Sequence, residues 1–416
     1  MTIKQNASPV RHDAAETAAA ESGEAQGGQI SAAAMEGDRL KIAFVVDRFG
    51  ARFGGAEAYG VALMRELASS HDITVFAREY DTACGLALPY VPLRSWRGWP
   101  SWVRVLLFAI RARRATRQGF DIVHSHMNGW SGDVEVVHVT PVRYNWRVRK
   151  LPLLKRLLSY ASPRVQTYLG LEQKRVRPRP GHRTVAVSGL IADQLAQAYG
   201  GELPVPVIPP GVTSPTDIDP ATRARLREAQ GWLDTDQVCL LVARNPLRKG
   251  LPTVLQALAM LPDNVKLLVV GGNAGTREFV VKFRQGELFD RVRVIDATSE
   301  IGQYYQAADV YVHPTLNDSF GMAPLEAMSY GLPVVLSPQP WCGFAQYVCH
   351  GTEALVLADP ENADQLAQYL RRLAQEPDLR GQLVAGGAQV VRRHSWAEAA
   401  LRYLALYREV RAERAG

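Results

Sequence analysis

Short apolar runs alternate with helix-period stretches along most of the chain, in two successive series. KIAFVVD (41–47) and DITVFA (72–77) are continuous apolar runs of the kind buried on both faces of a parallel sheet, and AEAYGVALMRELASS (56–70) between them repeats its apolar positions at helical spacing. FDIVHSH (120–126) and TVAVS (184–188) continue that series. VCLLVARN (238–245), KLLVVGG (266–272), RVRVID (291–296), DVYVHP (309–314), PVVLS (333–337) and EALVLA (353–358) make the second, with helices predicted over 251–261, 299–308 and 322–331. Strand, helix, strand order predicts parallel sheets, and Pro-rich VPVIPPGV (205–212) marks the change of series. A chain of 416 residues exceeds what one hydrophobic core usually serves. The expectation is an α/β fold of two Rossmann-like, doubly wound domains, 39–203 and 204–393, with a last amphipathic helix in 394–416. Residues 1–38 are rich in Ala, Glu, Ser, Gly and Gln without apolar period, so a disordered tail is expected there.

Charge changes this picture at one place. Between Arg143 and Arg183 twelve Lys or Arg face one acid, Glu172, so this segment alone outweighs the net charge of +7 and the rest of the chain is acidic. Its Leu-rich part, 151–160, alternates leucines with Lys155 and Arg156. That is a basic amphipathic helix, suited to the anionic lipids of an inner membrane leaflet. Without regular aromatic spacing it does not suit nucleic acid. A second stretch, 96–117, has three tryptophans, a Leu/Val/Phe stripe and five arginines after the last Trp; it reads as a membrane-surface helix or, slightly better, as a core helix with a basic outer face. Four cysteines without C-x-x-C spacing predict reduced thiols, and the absence of a membrane-length apolar run or signal h-region predicts a cytoplasmic protein.

Two loops hold the candidate chemistry. Residues 317–321, N-D-S-F-G, lead from a strand into a helix with Pro324 in its first turn and Gly331 at its C-terminal cap. Free backbone N–H groups at the helix start, with the positive end of the helix dipole, make a phosphate seat there. Asp318 and Glu326 flank the seat; two acids repel an anion, but they suit the hydroxyls of sugars on either side of a diphosphate. The other loop sets Arg244, Arg248 and Lys249 at a strand's C-terminal end, where cations would neutralise a departing diphosphate. In the first series, Gly54-Gly55 lets a ligand approach the backbone or simply makes a tight turn. His126 ends a strand at the ligand-binding edge of an open sheet, a position where a lone His is more often structural. Beyond it Asp133 and His138 are equal candidates to face the cleft. The lone D-x-D, Asp217 to Asp219, reads as a turn, not a metal site.

Residues 309–337 resemble the acid-x7-acid motif of the retaining, GT-B-fold glycosyltransferases of family 4, with Asp318 in place of the usual Glu. GGAE (54–57) is similar to that family's first-strand loop, and Asp121, His124 and His126 match its D-x-x-H-x-H segment. VIPPGV, RKG and the basic helical segment look like the lipopolysaccharide core glucosyltransferase I type in particular. The resemblance implies that Glu326 binds the nucleotide ribose and Asp318 the donor sugar. It puts the diphosphate on the backbone around Phe320, Gly321, Met322 and Ala323. By it Arg244 and Lys249 are the cations that carry the reaction, with Arg248 a rival, His126 lies near the donor sugar, and Gly54 and Gly55 face the diphosphate. It further implies a UDP-hexose donor, a glycolipid acceptor, retained configuration, no metal or other cofactor, and a final helix crossing back to the first domain. A UDP-sugar 2-epimerase of the same fold and a non-catalytic nucleotide-sugar-binding scaffold are the alternatives.

Overall fold

A computed structural model of the chain describes residues 39–95, 98–201, 203–216 and 218–415. The expected tail, Trp96 and Asp217 lie outside the described residues. The first sheet contains β1 (Lys41–Val45), β2 (Asp72–Ala77), β3 (Tyr90–Pro92), β4 (Ile122–Ser125), β5 (Val134–Val137) and β6 (Arg183–Ala186), in the order β3-β2-β1-β4-β5-β6. The second contains β7 (Gln237–Val242), β8 (Val265–Gly272), β9 (Val292–Asp296), β10 (Val310–His313), β11 (Val334–Leu336) and β12 (Leu355–Val356), in the order β9-β8-β7-β10-β11-β12. All pairs in both are parallel; Ile42 on β1, for example, pairs with Ile73 on one side and Ile122 on the other. The two sheets therefore share one topology, each with its strand order reversing beside its first strand, as in doubly wound folds.

The expected strands are all present, some shortened: Pro314 ends β10, and 353–358 pairs only over β12. Helices α1 (Gly55–Leu67) and α2 (Ser101–Ala115) pack on the first sheet. Phe108 and Ala112 of α2 sit in a core cluster with Val45 and Phe76, so of the two readings of 96–117 the core helix is the one the packing fits. Beyond β5, α3 (Leu153–Ala161) buries only Ser159, and α4 (Pro163–Val176) and α5 (Gly189–Tyr199) complete the half. In the second half come α6 (Pro220–Ala229), α7 (Leu251–Leu258), α8 (Ala274–Lys282), α9 (Gly302–Ala307), α10 (Met322–Ser329), α11 (Ala363–Gln375) and α12 (Pro377–Arg393). Its main core joins Leu241, Val269 and Val312 of the sheet to Leu255 of α7 and Leu366 and Leu370 of α11.

The last helix, α13 (Trp396–Ala415), returns to the first half as expected. Its Tyr403 hydroxyl meets that of Tyr59 on α1 at 2.8 Å, Glu413 pairs with Arg183, and Arg414 reaches Asp133 at 2.8 Å. All four cysteines are free. Among the described residues no helix is long and apolar enough to cross a membrane.

Candidate active site

The candidate residues gather at the reversal points of the two sheets. Gly54-Gly55 follows β1 and His126 follows β4; the 244–249 loop follows β7 and the 317–321 loop follows β10. These are the pairs of strands between which open α/β sheets leave a crevice at their C-terminal ends.

In the second half, Lys249 and Asp318 meet directly. The Lys249 ammonium donates to Asp318 Oδ2 and, at 3.3 Å, to the Asn317 carbonyl. His313, the last residue of β10, lies 3.0 Å from the same Oδ2. Burial alone would raise the Asp318 carboxyl, but the His313 hydrogen bond and the Lys249 charge outweigh it and hold the group well below the usual carboxylate range. Burial also lowers His313, which leaves a neutral ring whose Nε2–H donates to Asp318. This loop depends on Gly250: its φ is +91°, and a Cβ there would stand 2.0 Å from the Pro314 carbonyl oxygen. Sequence reasoning missed His313; its one signal was its place at a strand end five residues before Asp318.

The three loop cations part company. Lys249 stays with Asp318, whereas Arg244 extends to the first half and donates to the carbonyls of Arg52 and, at 2.7 Å, Phe53, just before Gly54. Arg244 thus ties the β7 loop to the β1–α1 loop, and in this arrangement it is not aimed at the phosphate seat. Arg248 is exposed. Gly54 and Gly55 open α1 without a side-chain cap, so no capping side chain takes up its first N–H groups.

Helix α10 starts at Met322 with Gly321 as its N-cap at φ +107°, again with no capping side chain. The first-turn N–H groups, those of Met322 and Ala323 included, have no intrahelical acceptor in any helix. Phe320 does not belong to a ligand surface: its ring is buried against Phe344, Tyr347 and His394, so only its backbone can take part in binding. Glu326 accepts a 2.9 Å hydrogen bond from Tyr305 of α9; burial raises its carboxyl and that bond partly offsets the rise. Glu326 and Asp318 both act on the buried Tyr311 phenol, which burial and these two charges push well up. The two acids are linked to this tyrosine through their partners: its ring lies 6.1 Å from that of Tyr305, which holds Glu326, and its hydroxyl 3.4 Å from His313, which holds Asp318. Tyr305 was not legible in sequence, where 299–308 is only a connecting helix.

His126 sits among aromatic rings, not in open solvent. Its ring lies 4.8 Å from Phe44, 5.3 Å from Tyr59 and 4.4 Å from His138, and its Nε2 is 3.0 Å from His124 Nε2. The other nitrogen of His124 meets the Tyr407 hydroxyl of α13. Burial, then the neighbouring histidines, lowers His126, so the cluster is neutral. Of the two open candidates, His138 joins this cluster. Asp133 lies at the other end of the sheet, where it accepts from Val123 N and Arg414, away from the crevice.

Two doubly wound sheets of one topology, with paired loops at their reversal points, make the GT-B fold, and the family models give its class. "Glycosyl transferases group 1" matches residues 222–390 and "Glycosyltransferase Family 4" matches 53–214, so the chain belongs to the group 1 glycosyltransferases. It is 29% identical over 391 residues to a D-inositol 3-phosphate glycosyltransferase of Xylanimonas cellulosilytica, covering 85% of this chain and 91% of that protein. It is 28% identical over 180 residues to the lipopolysaccharide glucosyltransferase WaaG of Escherichia coli, 42% of this chain and 48% of that one. Among solved structures it superposes on WaaG, a glycosyltransferase involved in lipopolysaccharide biosynthesis, with a TM-score of 0.74 at 20% identity, covering 87% and 98% of the two chains. The TM-score is 0.67 at 18% identity for Anabaena Alr3699/HepE in complex with UDP and glucose, covering 88% and 98%.

Proposed function

We propose that the chain is a retaining, metal-independent hexosyltransferase that moves a hexose from a UDP-sugar, UDP-glucose or another UDP-hexose, to a glycolipid in lipopolysaccharide or surface-polysaccharide synthesis. The observation that carries this reading is the conjunction at β10: an uncapped α10 N-terminus for the diphosphate, Lys249 bonded to Asp318 in the loop before it, and two acids, linked to Tyr311 through Tyr305 and His313, for hydroxyls. The acceptor hydroxyl attacks the anomeric carbon as the bond to the diphosphate breaks, and its proton passes to the leaving phosphate oxygen. Asp318 is held ionised by two partners, so it serves as a hydrogen-bond acceptor for the sugar and not as an acid that donates a proton. Arg248, exposed in the same loop as Lys249, supplies a further charge once the donor is bound, and no metal is needed for it.

Helix α3 supports attachment to the inner leaflet of the cytoplasmic membrane. Leu153, Leu154, Leu157 and Leu158 are 72, 70, 57 and 62% exposed. Lys155 and Arg156 lie between them, and Arg147 stacks over Tyr160 at 3.9 Å. Each leucine fully buried in lipid would contribute roughly 1.5–3 kcal/mol, with anionic headgroups adding the salt-dependent part. The test is UDP release from UDP-glucose with and without a lipid-linked core oligosaccharide. Acceptor-dependent release unaffected by EDTA is expected. Conversion of a UDP-sugar to its 2-epimer without acceptor points to the epimerase, no turnover at all to a binding scaffold, and loss with EDTA restored by Mn²⁺ removes metal independence.

A further inference from the structure

The first half carries a second cavity to which the donor chemistry assigns no role. It measures about 570 Å³ and opens at the C-terminal ends of β1, β2 and β3. Arg48 follows β1, Arg78 follows β2, Arg94 and Ser95 follow β3, and Arg52 and Arg104 close the sides. Among the described residues, the carboxylates lining it are Asp47 and Glu79. Asp47 is taken up by Arg78, Arg48 stands 3.7 Å from Glu57 and 4.0 Å from Asp47, and Arg52 pairs with Asp81 at 3.3 Å, which leaves Arg94 and Arg104 as the cations without a carboxylate partner among the ion pairs of the described residues. Arg104 Nε and Ser95 Oγ are buried with no hydrogen-bond partner among the described residues. Buried donors are almost always satisfied in folded proteins, so two unmet ones on the wall of a cationic cavity point to a missing acceptor group. Several guanidinium forks around one space match a phosphate better than a single carboxylate.

The cavity shares a wall with the active site. Arg52 and Phe53, whose carbonyls receive the Arg244 guanidinium, belong to the β1–α1 loop, and the Arg52 side chain lines the cavity. An anion held there lies on the first-domain side of the crevice, across from the α10 seat. We propose that this cavity binds a phosphomonoester carried by the acceptor and so positions the acceptor hydroxyl toward the donor. The phosphomonoester stays intact: the only bonds exchanged are those of the sugar transfer, anomeric carbon to diphosphate for anomeric carbon to acceptor oxygen, with the hydroxyl proton leaving on the diphosphate. This rests on the transferase reading and narrows its acceptor to a phosphorylated one.

The test titrates the full-length protein, its Arg94→Gln variant and its Arg104→Gln variant by calorimetry with glucose 6-phosphate and with phosphatidylcholine vesicles containing phosphatidic acid. UDP is titrated in parallel. Arg94 is exposed, so its variant keeps the test open where Arg104→Gln fails to fold. Binding of one phosphomonoester is expected to weaken at least about tenfold in the variants, with UDP binding unchanged. An arginine-dependent response to glucose 6-phosphate indicates a phosphate on the acceptor's sugar, and one confined to vesicles a phosphate of its lipid headgroup; both support the proposal. Because α3 is intact in every protein, vesicle binding is read as the difference from wild type. Equal phosphomonoester binding in wild type and variants, or none in a wild type that binds UDP, overturns it. Absence of UDP binding counts against the transferase reading instead.

Discussion

Asp318→Asn removes a charge while keeping the shape of the side chain, and its effect can be worked from the pair it makes. Lys249 and Asp318 are 16 and 20% exposed, so little solvent screens them, and His313 shares the same carboxylate oxygen at 3.0 Å. Removing one partner of a buried ion pair costs about 3–5 kcal/mol, because the other charge stays buried alone. Asparagine still offers a carbonyl oxygen, so the lower end, about 3 kcal/mol, is expected. The pH dependence has a definite sign. A carboxyl held low in the folded state contributes stability above its ordinary value, and that contribution is lost as pH falls toward the folded one. The gap between wild type and variant should thus be full at pH 7 and shrink below about pH 4. Asp318→Glu keeps the charge and should lose less than half as much. Urea unfolding of the three proteins from pH 7 to 3, with transfer rates at pH 7, measures this. Asp318→Asn within about 0.5 kcal/mol of wild type, the range of an ordinary surface change, would refute the reasoning.

Three further outcomes are expected. His124 and His138 are each lowered to about 3 by burial, so the unfolded chain takes up protons that the folded one refuses. Stability should fall between pH 6.5 and 5 by up to ~1.4 kcal/mol per unit for each, and a flat urea profile there would contradict their neutral burial. Tyr407→Phe strips the hydroxyl from His124 Nδ1 and should cost about 1–3 kcal/mol in the same assay; no loss would mean that α13 does not hold the histidine cluster. Leu154→Asp with Leu158→Asp should abolish sedimentation with anionic vesicles while leaving Tm unchanged, and undiminished binding would exclude α3 as the membrane face.

The elements and the two switch-point loops were legible because continuous apolar runs and local turn residues carry that information within a few positions. The strand–loop–helix unit at β10 and α10, with Gly321 and Gly331 at its ends, is of this kind. What stayed hidden depends on contacts far apart in the chain. Arg244 looked like a donor-site cation, yet its partners are carbonyls at Arg52 and Phe53. Asp133 and His138 could not be separated until β4 and β5 were paired, which puts one at each end of the sheet. Phe320 sits in a motif whose backbone faces the crevice, while its ring turns to the partners Phe344 and His394 from later segments. The arginine cavity is assembled from three strand ends and a helix, and no single window shows it.

Calorimetric titration of UDP, UMP and a panel of UDP-, GDP- and ADP-sugars into wild type and Lys249→Ala tests the diphosphate seat most directly. The account predicts that UDP and a UDP-hexose bind wild type, that UMP binds at least about tenfold more weakly, and that Lys249→Ala removes most of this difference. Equal affinity for UMP and UDP, or UDP binding indifferent to Lys249, would contradict it.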